Sequence, residues 1–142
     1  MQREDEQVSV KVRLAGAWAA LVSLYIYADF LYLYRPGGIE EVAQGAMGPF
    51  DVSQFTLLIA SVIVIIPALM IVLSLLVRAG INRSMNLVLA VVYTLINIIN
   101  LIGETWAFYL LFGVAEIAVT LLIFFMAWRW RPQIGSRSAL DA

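Results

Sequence analysis

The sequence contains no cysteine and no histidine. That excludes disulfides, thiol redox chemistry, cysteine nucleophiles and imidazole ligation of zinc or haem. Its single lysine, Lys11, stands near the N-terminus, so no apolar segment carries a lysine for Schiff-base chemistry. Charge is scarce: Asp, Glu, Lys and Arg make up 13% of the 142 residues, against about 25% in soluble domains. Neither sign dominates, the net charge being −1, and nothing points to a nucleic-acid partner. Alternation of apolar and polar residues over ~10-residue segments, the mark of a membrane barrel, is also lacking.

Apolar residues are abundant instead. They form 63% of the chain, above the ~45–50% of soluble domains, which excludes an ordinary water-soluble fold and a disordered chain. Four apolar runs stand out, at 14–34, 55–77, 85–102 and 106–128. Each matches the ~20 residues needed to cross a ~30 Å hydrocarbon layer as a helix. Only helices satisfy the backbone there in the absence of a barrel. The first run exceeds the 7–15 apolar residues of a signal peptide and precedes no small-residue cleavage site, so it reads as a retained anchor.

Charge placement sets an expected orientation. Lys11 and Arg13 precede run one, Arg78 and Arg83 separate runs two and three, and Arg129, Arg131 and Arg137 follow run four. The opposite side holds Arg35 with Glu40, Glu41, Asp51 and Glu104. The positive-inside rule then predicts both termini in the cytoplasm of a cell whose inner (plasma) membrane the chain crosses four times. Trp18, Trp106, Trp128 and Trp130, with Tyr32 and Tyr34, fall near the interfaces as an aromatic belt.

The connections carry cap signals. Gly80 reads as a left-handed cap ending helix two, with Asn82 or Ser84 starting helix three. Gly103-Glu104-Thr105 makes a tight turn that pairs helices three and four as an antiparallel hairpin, with Glu104 placed on the dipole of helix four. In the long loop 35–54, Ile39, Val42, Ala43, Ala46 and Met47 recur at helical period with Glu40, Glu41 and Gln44 between them. This predicts a short amphipathic helix over 39–47 on the outer membrane surface, the alternative being a disordered loop. Gly48-Pro49 would end it, and Asp51 or Ser53 would cap helix two. No internal repeat is evident. The first ten residues and the tail after Pro132 are polar and expected to be mobile.

Ionisable groups at membrane depth cost ~2.5–3.5 kcal/mol each and so require explanation. Glu116 falls within ~2 Å of the midplane at 1.5 Å per residue. Its helical neighbours Tyr109, Gly113 and Thr120 form a small or polar stripe, which is predicted to face other helices. Asp29 lies further out in run one, on the stripe Trp18, Val22, Tyr25, Asp29 and Tyr32. Tyrosine hydroxyls could donate to it, or it could be wetted from outside or pair with Arg35. In run three Tyr93, Asn97, Asn100 and Glu104 share one face. These stripes overlap in depth and predict one polar chamber in the outer half of a four-helix bundle. Ser61 and the kink at Pro67 would complete it, since that proline leaves the carbonyl of Ile63 without its helical donor. A carboxyl group in such a low-dielectric, aromatic-lined site favours its neutral form and can exchange its proton for a cation. The competing reading is that the asparagines and the protonated acid serve only as interhelical hydrogen-bonding glue.

The chain resembles a family of small uncharacterised bacterial four-span membrane proteins. The resemblance rests on Tyr27-Ala28-Asp29-Phe30-Leu31 with Pro36-Gly37, on Ile66-Pro67-Ala68-Leu69-Met70 running to Leu73-Ser74, on Asn82-Arg83-Ser84-Met85-Asn86, and on Ala115-Glu116-Ile117 followed by Ala127-Trp128-Arg129-Trp130. It covers roughly 14–131 and implies architecture without an activity. The family pattern includes the acids of spans one and four and the proline of span two, and Asn97 and Asn100 match nothing in it. Small multidrug transporters resemble the chain only in size and in the acid of span one. Quinone-linked redox proteins need a cysteine pair. An aspartic protease needs paired acids, whereas Asp29 and Glu116 differ by ~6 Å in depth.

The expectation is therefore an all-α, polytopic four-helix bundle forming a single membrane domain over 1–142. Its expected function is non-enzymatic: binding or transport of a small cation or lipophilic molecule. Glu116, Asp29, Asn97, Asn100, Tyr93 and Tyr25 would form the ligand- or proton-binding site, with no cofactor and no metal. At this length a transport pathway would call for a homo-oligomer or a membrane-complex partner. The alternative is a non-catalytic structural or accessory subunit whose polar stripes serve packing.

Overall fold

The structure, a computed structural model, describes residues 8–131. The expected polar tail after Pro132, and Arg137 with it, lies outside the described residues, as do residues 1–7. The chain is predominantly helical. In order it forms α1 (Val10–Tyr32), α2 (Gly38–Ala43), the strands β1 (Ala46–Met47) and β2 (Phe50–Asp51), α3 (Gln54–Leu76), α4 (Ala79–Asn100) and α5 (Ala107–Arg129). Helices α1, α3, α4 and α5 are each long and apolar enough to cross a membrane.

Local chemistry sets the helix ends. Ser9 caps α1, its hydroxyl accepting from Val12 N. Ser53 and Thr56 form a reciprocal capping box at the start of α3. Before α5 the chain turns at Gly103, φ 83°, and Glu104 Oε1 accepts from the backbone of Thr105 at 2.7 Å and Trp106 at 2.8 Å. That carboxylate satisfies donors just ahead of the helix, where the dipole favours an anion.

The α3–α4 connection differs from its expected form. Helix α4 starts at Ala79 rather than near 85, and Gly80 lies inside it instead of capping α3. Two cations explain the difference by serving the free carbonyls of other helices. Lys11 Nζ donates to Val77 O (2.7 Å) and Leu75 O (3.3 Å) at the end of α3. Arg83 donates to Ala127 O (3.1 Å) and Trp128 O (3.3 Å) at the end of α5. The polar segment Asn82-Arg83-Ser84 can thus stay helical because its side chains have partners.

The loop between α1 and α3 also differs. Its helix is six residues long, not the expected 39–47. The chain adopts positive φ at Gly45 (78°) and Gly48 (59°), which halts the helix and turns Ala46–Met47 back on Phe50–Asp51 as a small antiparallel hairpin. Positive φ at Gly48 followed by proline's fixed negative φ is the sign pattern of a type II′ turn. Apolar period alone does not register these two glycines.

Helix α1 packs against α3 and α5, and α5 packs against α4, whereas α3 and α4 meet sparsely. Contacts at both ends fix alternating directions for the four long helices. Lys11 meets the end of α3, and Tyr32 of α1 stacks edge-on against Tyr109 of α5 at 5.5 Å. One end of the bundle carries Lys11, Arg13, Arg78, Arg83, Arg129 and Arg131; the other carries Arg35, Glu40, Glu41, Asp51 and Glu104. The core runs through Leu14, Trp18, Leu21, Met70, Ala90, Tyr93, Ile123 and Ala127. The outer surface is mostly apolar, and α3 is the least buried of the long helices.

Candidate functional site

One face of α4 is an unbroken buried column: Asn82, Asn86, Ala90, Tyr93 and Asn97. The steps of four, four, three and four keep it on a single helix face. Long side chains of α1 meet it across the bundle. At the basic end Trp18 Nε1 donates to Asn86 Oδ1 at 2.7 Å, Asn86 Nδ2 donates to Asn82 Oδ1 at 2.7 Å, and Asn82 Nδ2 donates to Ser74 O at 2.6 Å. Three helices are joined by this one ladder.

At mid-depth, Tyr93 donates to Ile63 O at 2.7 Å. Ile63 is the carbonyl that Pro67, four residues on, leaves without a helical donor. The hydroxyl therefore repairs the kink, and the ring packs edge-on against Trp18 at 5.8 Å. Thr94 and Thr120 meet at 2.9 Å and join α4 to α5.

Towards the acidic end lie the groups of greatest chemical interest. Glu116 is 4% exposed, with Gly113 and Thr120 buried beside it on the same face. Tyr25 donates to Asn97 Oδ1 at 2.7 Å. The Nδ2 of Asn97 is buried without a partner among the described residues. Glu116 is within electrostatic reach of Tyr25, Asp29 and Tyr109. No described residue hydrogen-bonds its carboxyl group, since Tyr25, Tyr93 and Thr120 donate elsewhere. The fully buried donor of Asn97 is thus left open, where an unmade hydrogen bond costs ~1–3 kcal/mol, while the nearby Glu116 carboxyl keeps slight exposure.

The remaining expected site residues lie further out and are exposed. Asn100 is exposed and donates to Tyr109 Oη at 2.9 Å. Asp29 is exposed and hydrogen-bonds no described residue. Arg35 pairs with Glu41 and lies over the Tyr32 ring at 3.9 Å, so of the two alternatives for Asp29 the pair with Arg35 is not made. Ser61 is exposed and returns its hydroxyl to Leu57 O, so α3 contributes its kink and not this serine. The six expected residues accordingly divide into an interior set of Glu116, Asn97, Tyr93 and Tyr25, and an outer set of Asp29 and Asn100.

Sequence reasoning missed Trp18, Asn82 and Asn86. The signal was present: extending the Tyr93–Asn97 stripe backwards in steps of three and four reaches Asn86 and Asn82. Because the apolar run begins after it, Asn82 reads from composition as one of two helix starts, the other being Ser84. Among the described residues no three acids converge to hold a metal ion. An outer groove of about 380 Å³ is lined by α1 and α5 at the basic end, and an apolar one of about 200 Å³ lies between α4 and α5. Neither reaches Glu116.

Four apolar helices around a polar seam define a small multi-pass membrane protein. Over residues 4–136 the chain matches the model of a family of unknown function, DUF6326, and it belongs to that family. No curated protein and no solved structure matches it.

Proposed function

We propose that the chain binds a small monovalent or lipophilic cation in the interior sector of Glu116, with Glu116 giving up a proton as the cation arrives. The observation that carries this reading is the pairing of a buried carboxyl group that receives no hydrogen bond with the unpartnered Asn97 Nδ2. A carboxyl group without a counter-charge is held in such a place as the neutral acid, and an entering cation replaces the proton. The Tyr25 and Tyr93 rings supply faces that attract an organic cation. The sparse contact between α3 and α4 offers the approach. The reading takes the basic end as cytoplasmic in a bacterial inner membrane. It assigns no catalysis, and it includes association with further copies or a partner subunit, since a pathway across the membrane calls for more than four short-looped helices.

A second reading, a structural or accessory subunit, is favoured by one observation: the outer grooves do not reach Glu116. The two are separated with tetraphenylphosphonium as the probe and a pH dye in weakly buffered detergent. The first reading expects release of about one proton per bound cation, lost in Glu116→Gln with helicity unchanged. Equal binding and release in Glu116→Gln would overturn it. Greater thermal stability of Glu116→Leu, with co-purification of one stoichiometric partner, would establish the second.

A further inference from the structure

The groove of about 380 Å³ at the basic end has a distinct composition. Its rim carries Arg13 from α1 and Arg129 from α5, with Trp130 beside them, and its wall includes Leu122, Phe125 and Met126. Arg129, Phe125 and Leu122 follow one another on a single face of α5. The wall therefore runs ~10 Å from the arginine level towards the middle of the bundle, at 1.5 Å per residue.

The cations at this end are not equivalent. Lys11 and Arg83 are occupied with carbonyls that end α3 and α5. Among the described residues Arg13 commits only its Nε, to Val8 O at 2.9 Å, and Arg129 donates to none. Two guanidinium groups from different helices thus stand at one rim with donors to spare. Their forked donors match phosphate oxygens, and among the described residues no acidic side chain lines the groove to offset them. A free anion would use only the rim. The apolar wall beneath calls for a ligand whose charged head is joined to a hydrocarbon tail.

We propose that this groove is a binding site for an anionic phospholipid, its phosphate held by Arg13 and Arg129 and one acyl chain lying along Phe125 and Leu122. Trp130 sits at the headgroup level, where indole is favoured. Basic pockets between membrane helices on the cytoplasmic side recognise such headgroups in general.

The test loads the full-length protein from vesicles of phosphatidylcholine with a minority of phosphatidylglycerol and counts retained lipids by native mass spectrometry. The wild type is expected to retain phosphatidylglycerol preferentially. The double variant R13Q/R129Q should weaken that retention about tenfold, equivalent to about 1.4 kcal/mol. R13K/R129K should keep most of the preference, and Arg35→Gln at the opposite end should keep all of it. Should the double variant misfold, Arg129→Gln alone, which removes no described hydrogen bond, should still lose about threefold. Unchanged retention in the glutamine variants, or no preference in the wild type, would overturn the proposal. So would a phosphorus resonance of inorganic phosphate shifted by lipid-free wild type but not by R13Q/R129Q, which would make the site one for a soluble anion.

Discussion

Replacing Tyr93 by phenylalanine removes one oxygen and keeps the ring that packs against Trp18. The hydroxyl bonds Ile63 O at 2.7 Å, the carbonyl freed by Pro67. Hydrogen bonds between membrane helices average ~0.6 kcal/mol and reach ~1.7. An orphaned, partly buried carbonyl adds a desolvation penalty towards the low end of ~1–3 kcal/mol. Because the residue is 2% exposed and the carbonyl has no helical alternative, a loss of about 1.5 kcal/mol is expected, near the top of the first range. The explanation is tested by the partner substitution. In Pro67→Ala the new backbone N–H supplies Ile63 O, so the tyrosine hydroxyl becomes redundant. Pro67→Ala alone should be close to neutral, the regained bond offsetting the packing of a proline that is fully buried. Tyr93→Phe on that background should then cost about 0.5 kcal/mol, a coupling of about 1 kcal/mol. Reversible unfolding in mixed micelles, followed by circular dichroism, measures all four corners of the cycle. Strict additivity would refute the assignment of this hydroxyl to the proline kink.

Gly113 sits where an added Cβ would come within 2.3 Å of Leu101 Cδ2 and 2.7 Å of its Cγ. Gly113→Ala should therefore cost about 1–3 kcal/mol in the same assay, and Leu101→Ala in the same chain should recover part of that. Asn86→Leu strands the Trp18 indole N–H and breaks the bond to Asn82. It should destabilise by about 1–3 kcal/mol and shift the fluorescence of that buried tryptophan; an unshifted spectrum would show that the indole has no such bond.

Much of the architecture could be read from the residues, and the reasons are physical. A run of ~20 apolar residues has few alternatives to a helix in lipid, so all four long helices were legible. The orphaned carbonyl at Ile63 was legible because proline's effect on its own helix is local. Its partner was not, since that depends on which helix lies opposite. The inward turn of Glu116 followed from Gly113 and Thr120 beside it. Asp29 shares a stripe with Trp18, yet the structure leaves Asp29 exposed and Trp18 buried. A stripe gives direction along one helix but not how far up the bundle its neighbours continue to cover it. Asn82 and Asn86 were obscured because their helix extends beyond the apolar run, held by interhelical bonds of the kind that composition does not register.

The ladder from Trp18 through Asn86 and Asn82 to Ser74 has a one-way character. Indole can only give a hydrogen and a backbone carbonyl can only take one, so both amides between them are locked in a single orientation. Amides relay protons poorly, because each transfer would pass through an imidic acid. The half of the bundle nearer the arginines is therefore crossed by an amide seam that conducts protons poorly and fixes helix register. On the proposed cation reading, the proton released by Glu116 would not leave along this ladder.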